Sequence, residues 1–369
     1  MVKRTPKLDS QISDLEPLAT TPDLAPSKNP KRLHLFATIL TYATPSANHH
    51  GKGDDNNKPL QTIAKQGRDY ATISPYAIRD ALRRILIEEG LPCNRSRVQS
   101  AGAPIVEYKA FPNIEYADDF FFGFCVIDRA AISKNPDLFP KRDSVFRNNM
   151  AVGLSSNINF HLQIAPRNTE KSPWHNIKET TLLYRQVSYT AYQYPFALAL
   201  SDCISHPEWT TTLIKSIGQL SKVGGGDSVS HFNMAPRSII VRLTSSLVEG
   251  YDSYGFNEDG EFNELNRLMN DDLPGHEFWL GGEVVRQMSE EIKKKLEDKK
   301  VKLRDNPKLF WMMSLNSFQV EHEYSGSTLA ARSCPFCCLL DIEIWNLSRY
   351  YAHNAPFCGL WIDSQSSWN

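Results

Sequence analysis

The chain has 369 residues, 41% of them hydrophobic, which suffices for a buried core in one large domain or two small ones. Its 41 basic and 42 acidic side chains leave a net charge of -1, which excludes whole-chain electrostatics as a driving force for polyanion binding, so any such site must be a local basic patch. No apolar run approaches the roughly 18 residues of a membrane helix, and the start of the chain lacks the apolar core of a secretory signal, so the expectation is a cytoplasmic protein with no membrane partner.

Residues 1–30 combine Lys, Ser, Thr, Asp and five prolines with few large apolar groups, and are expected to form a disordered N-terminal arm. Order should begin near Leu33, where RLHLFATILTYAT is rich in β-branched and aromatic residues and ends at Pro45; this predicts a first, central strand. The stretch SANHHGKGDDNNKPLQTIAKQGRD then reads as one long polar loop. Ser74 as N-cap, Pro75 in the first helical position and Gly90 as a stop predict a helix. Ala77, Ile78, Ala81, Leu82, Ile85 and Leu86 share its apolar face, while Arg79, Arg83 and Arg84 fall largely off it, either solvated or reaching a phosphate.

From Leu91 to Gln186, short strand-like runs broken by Pro, Asn and Gly mark a β-rich insertion, within which FFFGFCVI, after Asp118 and Asp119, reads as buried strand. A regular unit then resumes: SYTAYQYPFALALSD as strand, EWTTTLIKSIGQLSK as helix, VGGGDSVS as a glycine loop and APRSIIVRLTSSL as strand. Strand, helix, insertion, strand, helix, strand is the order of an α+β, ferredoxin-like (split βαβ, RRM-type) domain split by an insert. Its boundaries are expected at 31–90 and 187–250 for the two halves, 91–186 for the insert and 251–369 for a helical and strand extension. In that extension MSEEIKKKLEDKKVKLRD predicts a charged outer helix. The CPFCC stretch, with Cys334, Cys337 and Cys338, precedes His353 and Cys358 and has half the spacing of a zinc site; packed free thiols are the preferred reading, and no metal or cofactor is expected.

Three segments put donors where a nucleic-acid backbone could meet them. In PKRDSVFRNNMAVGLSS, Lys141, Arg142 and Arg147 surround Ser and Asn donors, a mixture suited to phosphates and ribose hydroxyls or to an ordinary solvated loop. Gly224, Gly225 and Gly226 could bring backbone N–H groups close to a phosphate or simply end a helix; neither GxGxxG nor the Walker lysine spacing is present. FHLQIAPRNTEKSPWHNIKETTLLYR predicts a long hairpin whose tip holds Trp174 near Arg167, Lys171 and Lys178, with the indole either stacking on a base or covering a local core. No GxSxG, HExxH or kinase-type set occurs, so the common hydrolase and transferase motifs are missing.

Taken in order, the strand at Leu33, DYATISPYAIRDALRRIL, RDSVFRNNMAVGLSS, YTAYQYPFALAL and APRSIIVRL resemble the DevR-like CRISPR backbone family over roughly residues 32–250. The resemblance implies a ferredoxin-like palm with finger and thumb insertions, arrayed in several copies along a guide RNA (crRNA) in a type I surveillance (Cascade) complex that pairs the guide with target DNA. It implies no enzymatic activity. It would place Arg142, Ser144, Val145, Phe146 and Arg147 near the guide backbone, Gly224–Gly226 at a phosphate-facing loop and 157–183 as the thumb. Arg79, Arg83, Lys141, Arg167, Trp174 and Lys178 join these as candidate RNA contacts. Two departures from the family pattern stand out: GGGDSVSHF replaces the usual Gly-Asn-His-Ala-Arg-like run, leaving Asp227 and His231 as stand-ins, and the first thirty residues extend beyond the usual start. The alternative is a type III-like subunit that cleaves target RNA with Asp54 or Asp55 in the loop after the first strand.

Overall fold

Residues His34–Thr41 form β1, and Leu35 through Thr41, Phe36 excepted, are all buried. A strand buried on both faces has to be central and covered from both sides, and β1 is. The computed structural model describes residues 32–46, 48, 57–100, 103–164, 182–221, 223 and 233–307. The N-terminal arm, Asp54 and Asp55, the hairpin tip with Arg167, Trp174 and Lys178, the glycine loop with His231 and the cysteine cluster lie outside them.

In chain order, β1 is followed by β2 (Thr62–Lys65), β3 (Arg68–Ile73), α1 (Pro75–Glu88), α2 (Ala117–Phe122), β4 (Phe146–Asn148), β5 (Ala151–Gly153), β6 (Ile158–Ile164), β7 (Leu182–Thr190) and β8 (Tyr192–Ala199). Then come α3 (Pro207–Gly218), β9 (Pro236–Thr244), β10 (Phe278–Gly282), α4 (Glu290–Asp298) and β11 (Lys302–Arg304). Among the described residues, nine strands make one sheet in the order β11-β10-β9-β1-β8-β5-β3-β2, with β4 also pairing β8. Every pairing in it is antiparallel except β10 with β11. The protein is therefore mixed α+β around a large, mainly antiparallel sheet.

Alternation along the strands gives the sheet two different faces. One row across β4, β8, β1 and β9 runs Phe146, Leu198, Leu35, Leu243, all buried. This face meets the helices: Phe146 touches Phe122 of α2, ring centroids 5.9 Å apart, and α1 packs on α3 through the layer that holds Ile78, Leu82, Leu213 and Ile217. On the other face Leu40 and Ile240 join Tyr251, Phe256, Phe262 and Phe278 in a second core, so the chain after β9 folds back across the sheet.

The expected strand at Leu33, the capped helix α1, the helix α3 and the strand β9 are all present, with Ser74 accepting the Ala77 amide proton as the cap. Four expectations need correction. The long polar loop contains the β2–β3 hairpin, turned by Gln66 and Gly67 at φ 53° and 74°, a conformation that favours Gly at its second position; β2 is exposed throughout, so it shows no apolar alternation. FFFGFCVI begins as the buried helix α2, ends at Gly123 and continues as the short strand Phe124–Cys125. The stretch read as one strand from Ser188 divides at Ala191: β8 stays in the main sheet, while β7 pairs with β6 and with Thr44–Ser46 in a second sheet. The charged outer helix stops at Asp298, and Lys300 at φ 64° turns the chain into β11. No helix of the described residues is long and apolar enough to cross a membrane.

Candidate nucleic-acid interface

The insertion is tied to α1 by a buried polar knot. Asp118 and Asp119 sit in the first turn of α2 with no solvent exposure, a costly position for a carboxylate unless its oxygens are satisfied. They are. Asp118 accepts from the Arg83 Nε at 3.1 Å and from the backbone amides of Asn94 at 2.7 Å and Arg95 at 3.0 Å. Asp119 accepts from the Asn94 side-chain amide at 2.7 Å and from Arg95 Nη2 at 3.2 Å. Burial holds the Asp119 carboxyl above its usual range, while the Asn94 hydrogen bond pulls it down, as does the nearby Arg95 charge. Arg95 also lies over the Tyr108 ring and donates to the Gly123 carbonyl, so the hairpin Arg95–Ser100/Ala103–Tyr108 is rooted in this knot. Arg83 is only 8% exposed. The reading of Arg83 as an off-face, solvent- or phosphate-facing cation is thus corrected: Asp118, placed opposite it by α2, makes it an internal counter-ion.

The segment 141–149 leaves the Lys141–Arg142 strand, which pairs with Phe124–Cys125, and enters β4. Gly123 makes this crossing possible: its φ is 66°, and a Cβ there would stand 2.5 Å from the Arg142 carbonyl oxygen. The Arg142 guanidinium lies 4.8 Å over the Phe120 ring and donates to the Phe120 carbonyl; burial lowers its pKa. Ser144 Oγ donates to the Phe122 carbonyl at 2.6 Å. Arg79 donates to Asn148 Oδ1 at 2.8 Å and to the carbonyls of Phe146 at 3.3 Å and Phe122 at 3.4 Å, its pKa lowered chiefly by burial. Val145 and Phe146 put their side chains in the core. Lys141 and Arg147 are exposed, Arg147 with 69% of its side chain in solvent. Asp143, 3.9 Å away and itself exposed, is too weak a partner to neutralise it.

Arg147 belongs to the sheet's other face. Across β4, β8, β1 and β9 its row reads Arg147, Ala197, Phe36, Arg242. Arg242 is held by Glu277 at 2.8 Å and by the Glu249 carbonyl at 2.7 Å, which draws the segment after β9 over the sheet. Between that segment and the strands lies a cleft of about 110 Å3. Phe36, Ala197 and Pro195 floor it, and Arg147, Asn149 and Glu249 stand at its edges.

No family model matches the chain. A curated protein of Myxococcus xanthus (strain DK1622), "CRISPR-associated protein Cas7/Cst2/DevR", is 27% identical over 277 residues, covering 70% of this chain and 89% of that protein. The likeness to DevR-like proteins holds. A chain of a solved "CRISPR RNA-guided surveillance complex, pre-nicking" superposes with a TM-score of 0.51 at 10% identity, covering 77% of this chain and 99% of that one; at this identity the likeness concerns the fold alone.

Within this chain, the candidate contacts sort by exposure. The structure brings Arg79, Arg142, Ser144, Val145, Phe146 and Arg147 into one layer around β4, with the first five turned inward or tied to backbone carbonyls and Arg147 turned out. Phe36 and Glu249 were missed as site residues. Phe36 was legible only through parity, since it shares a face with Thr38 and Leu40, and Glu249 carries no sequence signal. Among the described residues no group of His, Cys, Asp and Glu is placed to hold a metal ion. Burial pushes the Cys93 and Cys203 thiols up to about 12, which leaves neither as a nucleophile at neutral pH.

Proposed function

We propose that this chain is a non-enzymatic, guide-RNA-binding backbone subunit that oligomerises along crRNA in a type I CRISPR surveillance complex and presents the guide for pairing with target DNA. The observation that carries this reading is the DevR-like match together with an exposed cationic edge, Lys141 and Arg147, mounted on a rigid frame. Cations, Asn and Ser groups at such an edge contact phosphates and sugars, which carry no direct sequence information. The guide supplies specificity by base pairing. A ferredoxin-like palm is supported by the order β9-β1-β8-β5, all antiparallel, with helices α1 and α3 in the two crossovers. The antiparallel β6–β7 pair supports a thumb that leaves the palm and returns to it.

The reading is tested by titrating the full chain into labelled single-stranded RNAs of unrelated sequence at several salt concentrations. Similar affinities that fall steeply with salt are expected. Binding confined to one sequence, or insensitive to salt, contradicts it.

A further inference from the structure

We propose that the cleft between β1, β4, β8 and the Glu249–Ser253 segment receives one base of a bound single-stranded RNA. The inference rests on the RNA-binding reading above and adds to it a base-contacting site distinct from the backbone contacts.

The chemistry of the cleft is that of a base, not of a phosphate. Its strand side is lined by apolar Phe36, only partly buried, with Ala197 and Pro195 from the neighbouring strand. A volume of about 110 Å3 is less than the roughly 150 Å3 of a cavity that encloses one benzene ring, but this cleft opens to solvent, so a base can enter part-way and lie against Phe36. An aromatic face stacks on any of the four bases. Arg147 stands at one edge with most of its side chain in water, able to hold the phosphate on which that base hangs. Glu249 stands at another edge. Its backbone carbonyl is fixed by Arg242, while its carboxylate has a long contact of 3.5 Å from Ser253 Oγ and retains acceptor capacity. A carboxylate is repelled by phosphate, but it accepts from base N–H groups. Each base offers at least one such donor on its pairing edge, so one carboxylate serves all four, and guanine, which offers two side by side, binds best.

The sign of one substitution decides between a base pocket and an incidental carboxylate. Fluorescence anisotropy is measured with the full chain, using a labelled single-stranded RNA and an abasic oligonucleotide of the same length. Glu249→Gln should weaken binding of the RNA about three- to tenfold, the scale of one charge-assisted hydrogen bond exchanged against water, while binding of the abasic strand stays the same or tightens as repulsion is removed. Phe36→Leu should weaken RNA and leave the abasic strand unchanged, and thermal melts confirm that each variant is folded. If both variants bind the RNA as well as or better than wild type, the pocket is overturned although the RNA-binding reading stands. If wild type binds neither strand, both are overturned.

Discussion

Two sets of arginines, set in neighbouring parts of the fold, do opposite things. Arg83, buried, and Arg95, half-buried, face Asp118 and Asp119, where each has a carboxylate partner and the backbone of the insertion is pinned. Arg147 stands in solvent, with a long hydrogen bond of 3.3 Å to the Ser144 carbonyl and only a loose carboxylate partner in Asp143. The difference teaches that in a chain with nearly equal numbers of acids and bases, what marks a cation as available to a polyanion is the carboxylate it has not been given. Arg79 and Arg142 lie between these limits, half-buried and spent on backbone carbonyls, and so shape the edge from which Lys141 and Arg147 project.

The comparison breaks most visibly at the knot. Asp118→Ala leaves Arg83 without its buried counter-ion and strips the acceptor from two backbone amides, so chemical denaturation should show a loss of about 3–5 kcal/mol. A loss below 1 kcal/mol would mean the pair is solvated and the contrast false. Next in size is Gly123→Ala, which combines a positive φ with a Cβ driven into the Arg142 carbonyl; about 1–3 kcal/mol of destabilisation is expected, read from the same denaturation curves.

The Asp119 carboxyl gives a pH-resolved version of the test. Its folded value is raised above the ordinary 3.8 by burial, so the protonated form is favoured by folding. Its contribution to stability is present below 3.8 and is lost as the pH rises through the folded value. The stability of wild type relative to Asp119→Asn should therefore fall with rising pH across that window, and a rise would contradict the assignment. The smallest effect on stability belongs to the surface: Arg147→Ala and Lys141→Ala should stay within about 0.5 kcal/mol of wild type. Each should nonetheless weaken RNA uniformly across sequences and reduce the slope of log affinity against log salt by about 0.7.

Much of the frame was legible in the residues. The β-branched run at Leu33 and the Ser74–Pro75 entry to α1 speak locally, and local signals survived into the structure. What was not legible depends on residues far apart in sequence. Nothing near Arg83 announces that Asp118, 35 positions on, will neutralise it, and the interspersed acids and bases gave no patch to read. The aromatic run FFFGFCVI has the composition of a strand, but all three phenylalanines before Gly123 are buried in consecutive positions, which a short helix wedged between α1 and the sheet permits. The cleft, likewise, exists only once β4, β8 and β1 are in register and Arg242 has drawn Glu249 across them.

The central claim is that this chain polymerises on a guide, and native mass spectrometry of complexes assembled on guides of increasing length tests it most directly. A heterologous contact that does not close on itself builds a helix whose length is set by its template, so the account predicts that the number of copies rises stepwise with guide length. A copy number that stays fixed as the guide lengthens, or a chain recovered free of RNA, would contradict it.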